Sequence, residues 1–407
     1  MTTKPILATG IDAGSSFTRV IIGLVEEGKL RFLGCGCAPS QGWQKGRITD
    51  QQAVSKCILA AVEQAEAVAE AVAGTPIHVE TAVAGIGGAS VRGKSNKGQV
   101  DLARPREIEQ RDVNRAMDRA MRVRLDDDRM MLHVLPQAFV VDDSEDCEDP
   151  RRMMASRLVA NAHLVTVSTH EHATLTGSVN LAHLALDETV FEPIASCYAS
   201  VLPEDRVGGI AVVDIGAHST GLVCYFGEAV QLATTIKICG DHFSRDIAFA
   251  LKVPLEDGAL VKEEFGSAVA EGTAENSVVE LPFRDGTGRE SREVSRLKVN
   301  QILESRAQEL FVMVREELTA ANSYPALANG LVITGAGALL PGICDIAERE
   351  LQRPARIGLT QGYRDLPVEL KDPAWTTAAG LSMYAARLRT QVDLERRATG
   401  LLGRILR

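Results

Sequence analysis

Aromatic residues and paired cysteines are scarce in this sequence of 407 residues. Aromatic side chains make up 4% of the chain, which argues against a platform that stacks nucleic-acid bases. The eight cysteines are scattered and include no Cys-x-x-Cys pair, which favours free thiols in a reducing compartment over a metal site. They are Cys35, Cys37, Cys57, Cys147, Cys197, Cys224, Cys239 and Cys344.

Long apolar runs and an excess of basic charge are also absent. No stretch approaches the roughly 18 uninterrupted apolar residues of a membrane-spanning helix. A predicted strand begins at Ile6 and Lys4 is the only earlier basic residue, so we expect no signal peptide. The net charge of −10, from 44 basic and 54 acidic residues, disfavours a nucleic-acid partner. We therefore expect a cytoplasmic protein.

The sequence does contain a regular alternation of strands and helices. Strands are predicted at 6–11 and 18–26, and an alanine-rich helix with one apolar stripe follows at about 51–73. The alternation resumes at 171–202, after a stretch of different character at 85–165. A chain of this length, in which 45% of the residues are hydrophobic, is too long to fold around one ordinary hydrophobic core. The pattern predicts an α/β protein with two related halves and an inserted α+β piece.

Two short segments, about two hundred residues apart, look like copies of one phosphate-binding device. They span 6–24 and 209–226, and each has an apolar strand, an Asp-x-Gly turn, small or hydroxyl residues and a second apolar strand. Asp12 and Asp214 end the first strands, where a carboxylate can hold Mg²⁺ through water and the next glycine lets an anion approach. One such turn usually just closes a hairpin. Two of them facing each other across a cleft would form a nucleotide clamp.

A third element follows later in the chain. Residues 330–342 read as a strand, a glycine-rich turn and a helix start. Alone, this pattern is equally typical of a packing turn in a Rossmann-like fold. Along the chain, the first phosphate-binding segment, the second one and an adenosine-binding turn follow each other. In this order the three elements resemble those of the actin, Hsp70 and sugar-kinase superfamily.

Within that superfamily the chain resembles the FtsA family of bacterial cell-division proteins over nearly its whole length. The insert stands where that family carries its own subdomain IC, and its position distinguishes the family from MreB, Hsp70 and the kinases. The resemblance implies an actin-like ATPase fold with two halves around a nucleotide cleft, an inserted subdomain IC and a C-terminal amphipathic helix. It rests on residues 10–14, 40–46, 132–137, 212–216, 335–337 and 376–380 and on a basic tail.

The same resemblance implies a division into subdomains. Subdomains IA and IIA are each built from two separate stretches of the chain, and the remaining parts are continuous. The expected boundaries are 1–84 and 166–205 for IA, 85–165 for IC, 206–240 and 326–387 for IIA, 241–325 for IIB, and 388–407 for a linker and membrane-targeting helix.

The resemblance further implies that ATP and Mg²⁺ bind in the cleft, with weak or no ATPase activity and no assignable catalytic residue. Asp12 and Asp214 would face the metal, and Lys262 would reach the ribose. Lys262 is otherwise an ordinary solvated lysine, and Ala259 stands where relatives often have an acidic residue. The phosphates and adenosine would contact Gly14, Ser15, Ser16, Gly216, Ala217, Ser219, Gly335, Ala336 and Gly337.

One departure from the family concerns the second phosphate turn. Many relatives carry Asp-x-Gly-Gly-Gly-Thr there, whereas this chain has Asp-Ile-Gly-Ala-His-Ser at 214–219. Side chains at Ala217 and His218 stand where backbone should approach phosphate, so hydrolysis is in doubt more than binding. His218 could order a catalytic water or simply be a partly exposed loop histidine.

By resemblance, the chain polymerises and tethers FtsZ filaments to the cytoplasmic side of the inner membrane at the division septum, and other division proteins bind subdomain IC. The FtsZ tail would bind near Arg292, Arg306 and Glu309 in subdomain IIB. The other interpretation of these three residues is the charged face of a solvated helix.

The basic tail at 394–407 predicts a helix that lies on an anionic bilayer. At about 100° per residue its large apolar side chains fall within an arc of about 140°, with arginines opposite. Docking of this helix on its own protein stays open. The residues expected at the membrane are Leu401, Leu402, Arg404, Ile405, Leu406 and Arg407.

Two other functions use the same clamp. A small-molecule kinase, such as a sugar kinase, should place a general-base aspartate in a substrate domain and has no use for a basic amphipathic tail. A type-IV pilus assembly ATP-binding protein often shares the insert but generally lacks such a tail.

Overall fold

A computed structural model describes residues 6–26, 28–142, 144, 146–282 and 291–405, without the side chains of 282, 291, 292 and 393–405. The first half of the chain contains β1 (Ile6–Ala13), β2 (Phe17–Glu26), β3 (Lys29–Pro39), β4 (Trp43–Gln44), β5 (Arg47–Ile48), α1 (Gln51–Ala73), β6 (Thr81–Ile86), β7 (Arg92–Glu107), α2 (Gln110–Met121), β8 (Arg129–Val141), β9 (Met154–Ser168), α3 (Thr169–Leu181), β10 (Ala185–Phe191), α4 (Glu192–Ser200) and α5 (Pro203–Val207). The second half contains β11 (Ile210–Ile215), β12 (Thr220–Phe226), β13 (Ala229–Ile236), α6 (Gly240–Leu251), α7 (Leu255–Phe265), β14 (Val278–Pro282), β15 (Ser291–Ser295), α8 (Arg296–Ala320), β16 (Leu331–Thr334), α9 (Ile343–Leu351), β17 (Ala355–Ile357) and α10 (Thr376–Ile405).

Two five-stranded sheets share one topology. The first has the order β10-β6-β1-β2-β3 and the second the order β17-β16-β11-β12-β13. In each sheet three consecutive strands pair antiparallel. Two later strands extend the sheet on the other side of the first strand, and both run parallel to it. The prediction of two related α/β halves is confirmed. The equivalent strands β1 and β11 each lie in the middle of a sheet and end in an Asp-x-Gly turn.

The helix α1 shows how closely local sequence dictates these elements. The Asp50 side chain caps its start by accepting from the backbone N–H groups of Gln52 and Ala53, and Gly74 ends it with a positive φ of 68°. Its apolar stripe is buried against the first sheet. The backbones come so close that a Cβ on Gly36 of β3 would lie 1.8 Å from the Ala61 carbonyl oxygen. The predicted helix at 51–73 agrees with the observed bounds.

The insert is a three-stranded sheet in the order β7-β9-β8 with α2 packed on it. It has its own small core and rests on the edge strand β13 of the second half. Thr235 Oγ1 donates to the Gly88 carbonyl at 3.1 Å, and the Ala233 N–H donates to His163 Nε2 at 3.0 Å. The polar stretch at its start, for which the sequence predicted no strand, forms the long strand β7. The Phe191 N–H of β10 donates to His133 Nε2 of β8 at 3.0 Å, so the insert contacts both halves.

The helix α10 begins beside the cleft and runs as one helix to Ile405. The resemblance instead implied a linker beginning at residue 388, before the membrane-targeting helix. Near its start α10 packs on α4 and on β1 with almost no space between backbones. Among the described residues no helix is both long enough and apolar enough to cross a membrane. Of the predicted membrane residues, Leu406 and Arg407 lie outside the described residues, as do the side chains of Leu401, Leu402, Arg404 and Ile405.

Candidate functional site

A deep cleft of about 1120 Å³ lies between the two sheets. The turns after β1 and β11 line it from opposite sides, and the glycine turn after β16 lines it from the second half. The predicted nucleotide residues all meet there, although their positions span more than three hundred residues of sequence. They are Asp12, Gly14, Ser15, Ser16, Asp214, Gly216, Ala217, Ser219, Lys262, Gly335, Ala336 and Gly337.

The glycine turn after β16 packs directly on the second Asp-x-Gly turn. Gly335 has a positive φ of 77°, and a Cβ there would lie 2.4 Å from Asp214 Oδ1. A Cβ on Gly337 would lie 2.3 Å from the Ile215 side chain. Only glycine permits this approach, and the second and third sequence motifs therefore form one continuous wall of the cleft.

Three carboxylates converge in the cleft, from Asp12, Asp214 and Glu192. Burial raises the pKa of Asp12 to about 7, with Arg19 opposing the shift and Asp214 adding to it. Burial and the charges of Asp12 and Asp214 raise the pKa of Glu192 well above its ordinary value. Ionisation of this buried cluster is therefore costly, and a bound cation would favour the ionised carboxylates.

Glu192 was not predicted as a site residue. It directly follows β10, which pairs parallel to β6 in the same sheet as β1. The strand ends therefore meet at one sheet edge, and this is the signal that could have identified it. The glycine stretch after β6 makes room for its side chain, because a Cβ on Gly87 would lie 2.0 Å from Glu192 Oε2.

Asp214 of the second sheet is held by α4, which contacts strands of both sheets, and by α10, which packs on the first sheet. Ser196 Oγ of α4 donates to Asp214 Oδ2 at 2.5 Å, and Thr377 Oγ1 of α10 donates to the same oxygen at 3.0 Å. Burial raises the pKa of Asp214, and these two hydrogen bonds oppose the shift. The carboxylate is thus fixed in position at the junction of the two halves.

Lys262 lies in the cleft and not on a solvated surface. Its side chain is 19% exposed, and Nζ donates to the Gly240 carbonyl at 3.5 Å. Burial lowers the pKa of this ammonium, with Glu263 and Asp241 opposing the shift. Ala259 lines the cleft one turn earlier on α7, at the position without the acidic side chain.

A second, shallower groove of about 430 Å³ lies between α6 and α8. Arg306 projects from α8 and donates to Asp246 of α6 at 2.6 and 3.0 Å, and also to Glu309. Arg306 and Glu309 therefore contact each other, whereas the side chain of Arg292 lies outside the described residues. The groove also contains Asp246, Lys298, Gln301, Ile302 and Ser305, which the sequence did not single out.

Family models and individual relatives both identify the same family. A family model described as the SHS2 domain inserted in FtsA matches residues 88–166, and one described as cell division protein FtsA matches residues 211–380. Cell division protein FtsA of Borreliella burgdorferi is 31% identical over 386 residues, covering 93% of this chain and 90% of that protein. FtsA of Pseudomonas aeruginosa is 29% identical over 379 residues, covering 93% and 89%.

Solved structures resemble the chain in fold alone. The PilM–PilN type IV pilus biogenesis complex matches with a TM-score of 0.67 at 14% identity, over 93% of this chain and 98% of that one. MreB 5 of Spiroplasma citri bound to AMPPNP matches with a TM-score of 0.58 at 13% identity, over 97% and 100%. The fold is therefore actin-like, with an SHS2 insert. At 31% identity over nearly its whole length to a curated FtsA, this chain belongs to the FtsA family of cell division proteins.

Proposed function

We propose that this chain binds ATP with Mg²⁺ in the cleft, polymerises, and tethers FtsZ filaments to the inner face of the cytoplasmic membrane during division. The observation that carries the proposal is the pair of Asp-x-Gly turns on topologically equivalent strands, facing one cleft in a chain of the FtsA family. A fold neighbour, MreB 5 of Spiroplasma citri, is described as bound to AMPPNP, which further supports a nucleotide.

The residues in the cleft fit a magnesium nucleotide. Among the described residues no group of three acidic, histidine or cysteine side chains stands at metal-ligand spacing, so the protein would supply only part of a coordination shell. Mg²⁺ is commonly bound in this way, through one or two carboxylates, water and phosphate oxygens. Asp12 and Asp214 would face the metal. The turn backbones and the Lys262 ammonium would neutralise phosphate or contact the ribose, while Gly335 and Gly337 leave room for the nucleoside.

Asp214→Asn should weaken the binding of ATP with Mg²⁺ at least about tenfold, because a metal-facing charge is lost. The asparagine oxygen can still accept from Ser196 and Thr377, so the fold should persist, and removing a buried charge should not lower the melting temperature. Titration calorimetry measures the affinity. Asp101→Asn, at a carboxylate that is 69% exposed on the insert, is the matched control. Equal affinity in the Asp214→Asn variant and the parent would remove Asp214 from the metal site.

Binding of ATP with Mg²⁺ should release protons near neutral pH. Because the pKa of Asp12 is raised to about 7 in the folded chain, this carboxyl is protonated in a large fraction of molecules at that pH. A cation binds the ionised form, so affinity should rise as pH increases from 6 to 8. Calorimetry at pH 7 in two buffers of different ionisation enthalpy should give different apparent binding enthalpies. The Asp12→Asn variant should lose most of this difference. Identical enthalpies for the parent in both buffers would contradict the assignment.

The groove between α6 and α8 is the proposed site for the FtsZ tail. Its arginine is preorganised, because two carboxylates hold the Arg306 guanidinium in a fixed orientation. Lys298 adds a second cation beside Ile302 and the polar side chains. A groove with fixed charges and some apolar surface suits a short peptide that carries both kinds of side chain.

Arg306→Glu should weaken binding of an FtsZ C-terminal peptide about tenfold or more, because it places a third carboxylate beside Asp246 and Glu309. Fluorescence anisotropy with a labelled peptide measures the dissociation constant. Arg315→Glu is the matched control, since Arg315 lies on the same helix and pairs with Glu350 at 3.6 Å, away from the groove. If the variant has the melting temperature of the parent and its dissociation constant is unchanged, this groove is not the peptide site.

The subdomain boundaries, the filament and the role of the insert belong to the same proposal. The SHS2 insert presents α2 and the edge strand β7, which leaves a surface for other division proteins. Its contact with β13 would let a partner on the insert influence the second half of the protein.

A further inference from the structure

One side-chain contact crosses the cleft between the two phosphate turns. The Nδ1 atom of His218, in the turn after β11, lies 2.8 Å from the Oγ atom of Ser15, in the turn after β1. These residues stand 203 positions apart and belong to opposite halves of the molecule. His218 is also, with Ala217, a position at which this chain departs from the glycine-rich second turn of many relatives.

We propose that this Ser15–His218 bridge is a side-chain binding element for the terminal phosphate, and that it makes the cleft prefer a nucleoside triphosphate over a diphosphate. This inference rests on the proposed function, since it assigns a specificity to the same nucleotide cleft.

The chemistry of the pair suits an anion in either tautomer of the histidine. If Ser15 donates its O–H to Nδ1, the ring keeps an N–H at Nε2. If Nδ1 carries the proton and donates to Ser15, the serine keeps its own O–H. Within the described part of the chain, His218 Nε2 and Ser15 Oγ have no further hydrogen-bond partner. One donor therefore stays available for a phosphate oxygen in both cases.

Two backbone hydrogen bonds hold the turn that contains His218, and they limit the positions that its imidazole can take. The Gly216 N–H donates to the Ser219 carbonyl at 2.9 Å and closes the turn. The Asp241 N–H of α6 donates to the Ala217 carbonyl at 2.8 Å and fastens its tip. A contact made by a group already held in place costs little ordering entropy on binding.

The short hairpin of β4 and β5 covers His218 from the other side. Gly46, between these strands, has a positive φ of 73°, and a Cβ there would lie 3.1 Å from the His218 Cβ. Arg47 of the hairpin pairs with Glu171 of α3 at 3.2 Å, which ties the hairpin to the first half. The half-buried His218 thus lies between the two turns and this hairpin.

The position of the bridge explains why it would contact the end of the phosphate chain. The glycine turn proposed for adenosine packs against Asp214 and Ile215, whereas the bridge packs against Gly46 of the hairpin. Asp214 and Ile215 stand at the base of the second phosphate turn, next to the adenosine turn, whereas His218 stands near its tip, four residues beyond Asp214. A longer phosphate chain reaches further in this direction, so a triphosphate should gain a contact that a diphosphate lacks.

The test compares the affinities of ATP and ADP for the full-length protein and its variants by titration calorimetry in the presence of Mg²⁺. His218→Ala should lower the affinity for ATP about tenfold and that for ADP less than twofold. Ser15→Ala should act in the same direction, and the double variant should lose less than the sum of the two, as expected for coupled residues. His218→Gln, which keeps a side-chain donor, should recover part of the ATP affinity. His78→Ala changes a histidine whose side chain is 80% exposed and does not line the cleft, and it is the control, with no expected effect on either affinity.

The outcomes separate this inference from the function on which it rests. If the parent binds both nucleotides and His218→Ala leaves the ratio of their affinities unchanged, the bridge is not a terminal-phosphate element, although the cleft still binds nucleotide. If the parent binds neither nucleotide, the proposed function and this inference fall together. A thermal melt of each variant shows whether it is folded, and an unfolded His218→Ala protein leaves the decision to the ratio measured with His218→Gln and Ser15→Ala.

Discussion

Gly380→Ala is expected to destabilise the protein strongly, although it adds a single methyl group to a helix. A Cβ on Gly380 of α10 would lie 1.7 Å from the Ala195 carbonyl oxygen of α4. The obstacle is backbone, so no rotamer change can relieve it, and the two helices must move apart. Overpacking of a core typically costs about 1–3 kcal/mol, and a backbone clash of this kind belongs at or above the upper end. The gain in helix propensity, about 1 kcal/mol, is too small to offset it.

The same substitution should also weaken ATP binding, because α4 and α10 hold Asp214 through Ser196 and Thr377. Differential scanning fluorimetry measures the melting temperature, with and without ATP and Mg²⁺. Gly177→Ala is the matched control: it is also a helical glycine, but its nearest neighbour is the end of the flexible Gln51 side chain at 3.1 Å. That variant should melt at or above the parent temperature. If both variants melt alike, the contact between α4 and α10 is not as tight as the geometry indicates.

The fold was largely predictable because its elements carry strong local signals. The cap at Asp50 and the apolar stripe of α1 define that helix, and the paired Asp-x-Gly turns reveal the repeated topology. The strand β7 was missed because it lies at the edge of the insert and most of its side chains face solvent. Only Val100 and Leu102 alternate with polar residues in a way typical of strands. Hydrophobic periodicity cannot detect a strand that buries so little.

From the sequence, only those cleft residues that stand in a local motif could be predicted. Asp12 and Asp214 stand in recognisable turns, so the sequence identified both. Glu192 enters the cleft because β10 pairs parallel to β6, which is a consequence of sheet order and not of any nearby motif. Asp246 reaches Arg306 across sixty positions of sequence, because α6 packs against α8. Contacts of this kind require the tertiary structure.

Leu402→Glu is expected to abolish the binding of the protein to anionic vesicles while ATP binding persists. At about 100° per residue, an ideal helix over 394–407 places Leu402 near the centre of its apolar arc, between Leu401 and Leu406. On a bilayer these side chains should insert and the arginines should lie at the headgroups. A glutamate at this position would bring a carboxylate to the acyl boundary, where burial of a charge is costly.

The magnitudes make this single change decisive. Each leucine or isoleucine contributes about 1–2 kcal/mol on partial insertion, and each arginine at most about 1 kcal/mol near anionic lipid. Gly400 and Gly403 each cost roughly 1 kcal/mol in a helix, and ordering the tail costs more. On the proposed function, one tail would be a weak anchor, and stable attachment would need many tails in one polymer. The binding free energy lost from one apolar contact per tail would likewise be summed over all the tails of the polymer.

Vesicle co-sedimentation, with and without ATP, measures the attachment. Gly400→Glu is the matched control, because it adds the same charge to the tail but on the face opposite the apolar arc. It should keep most of the binding, whereas Leu402→Glu should lose it. Higher salt should weaken the attachment of the parent protein, since the attraction of exposed arginines is screened. If Leu402→Glu sediments as well as the parent, the tail is not the anchor; if the parent itself fails to sediment, the docking of this helix on its own protein becomes the better interpretation.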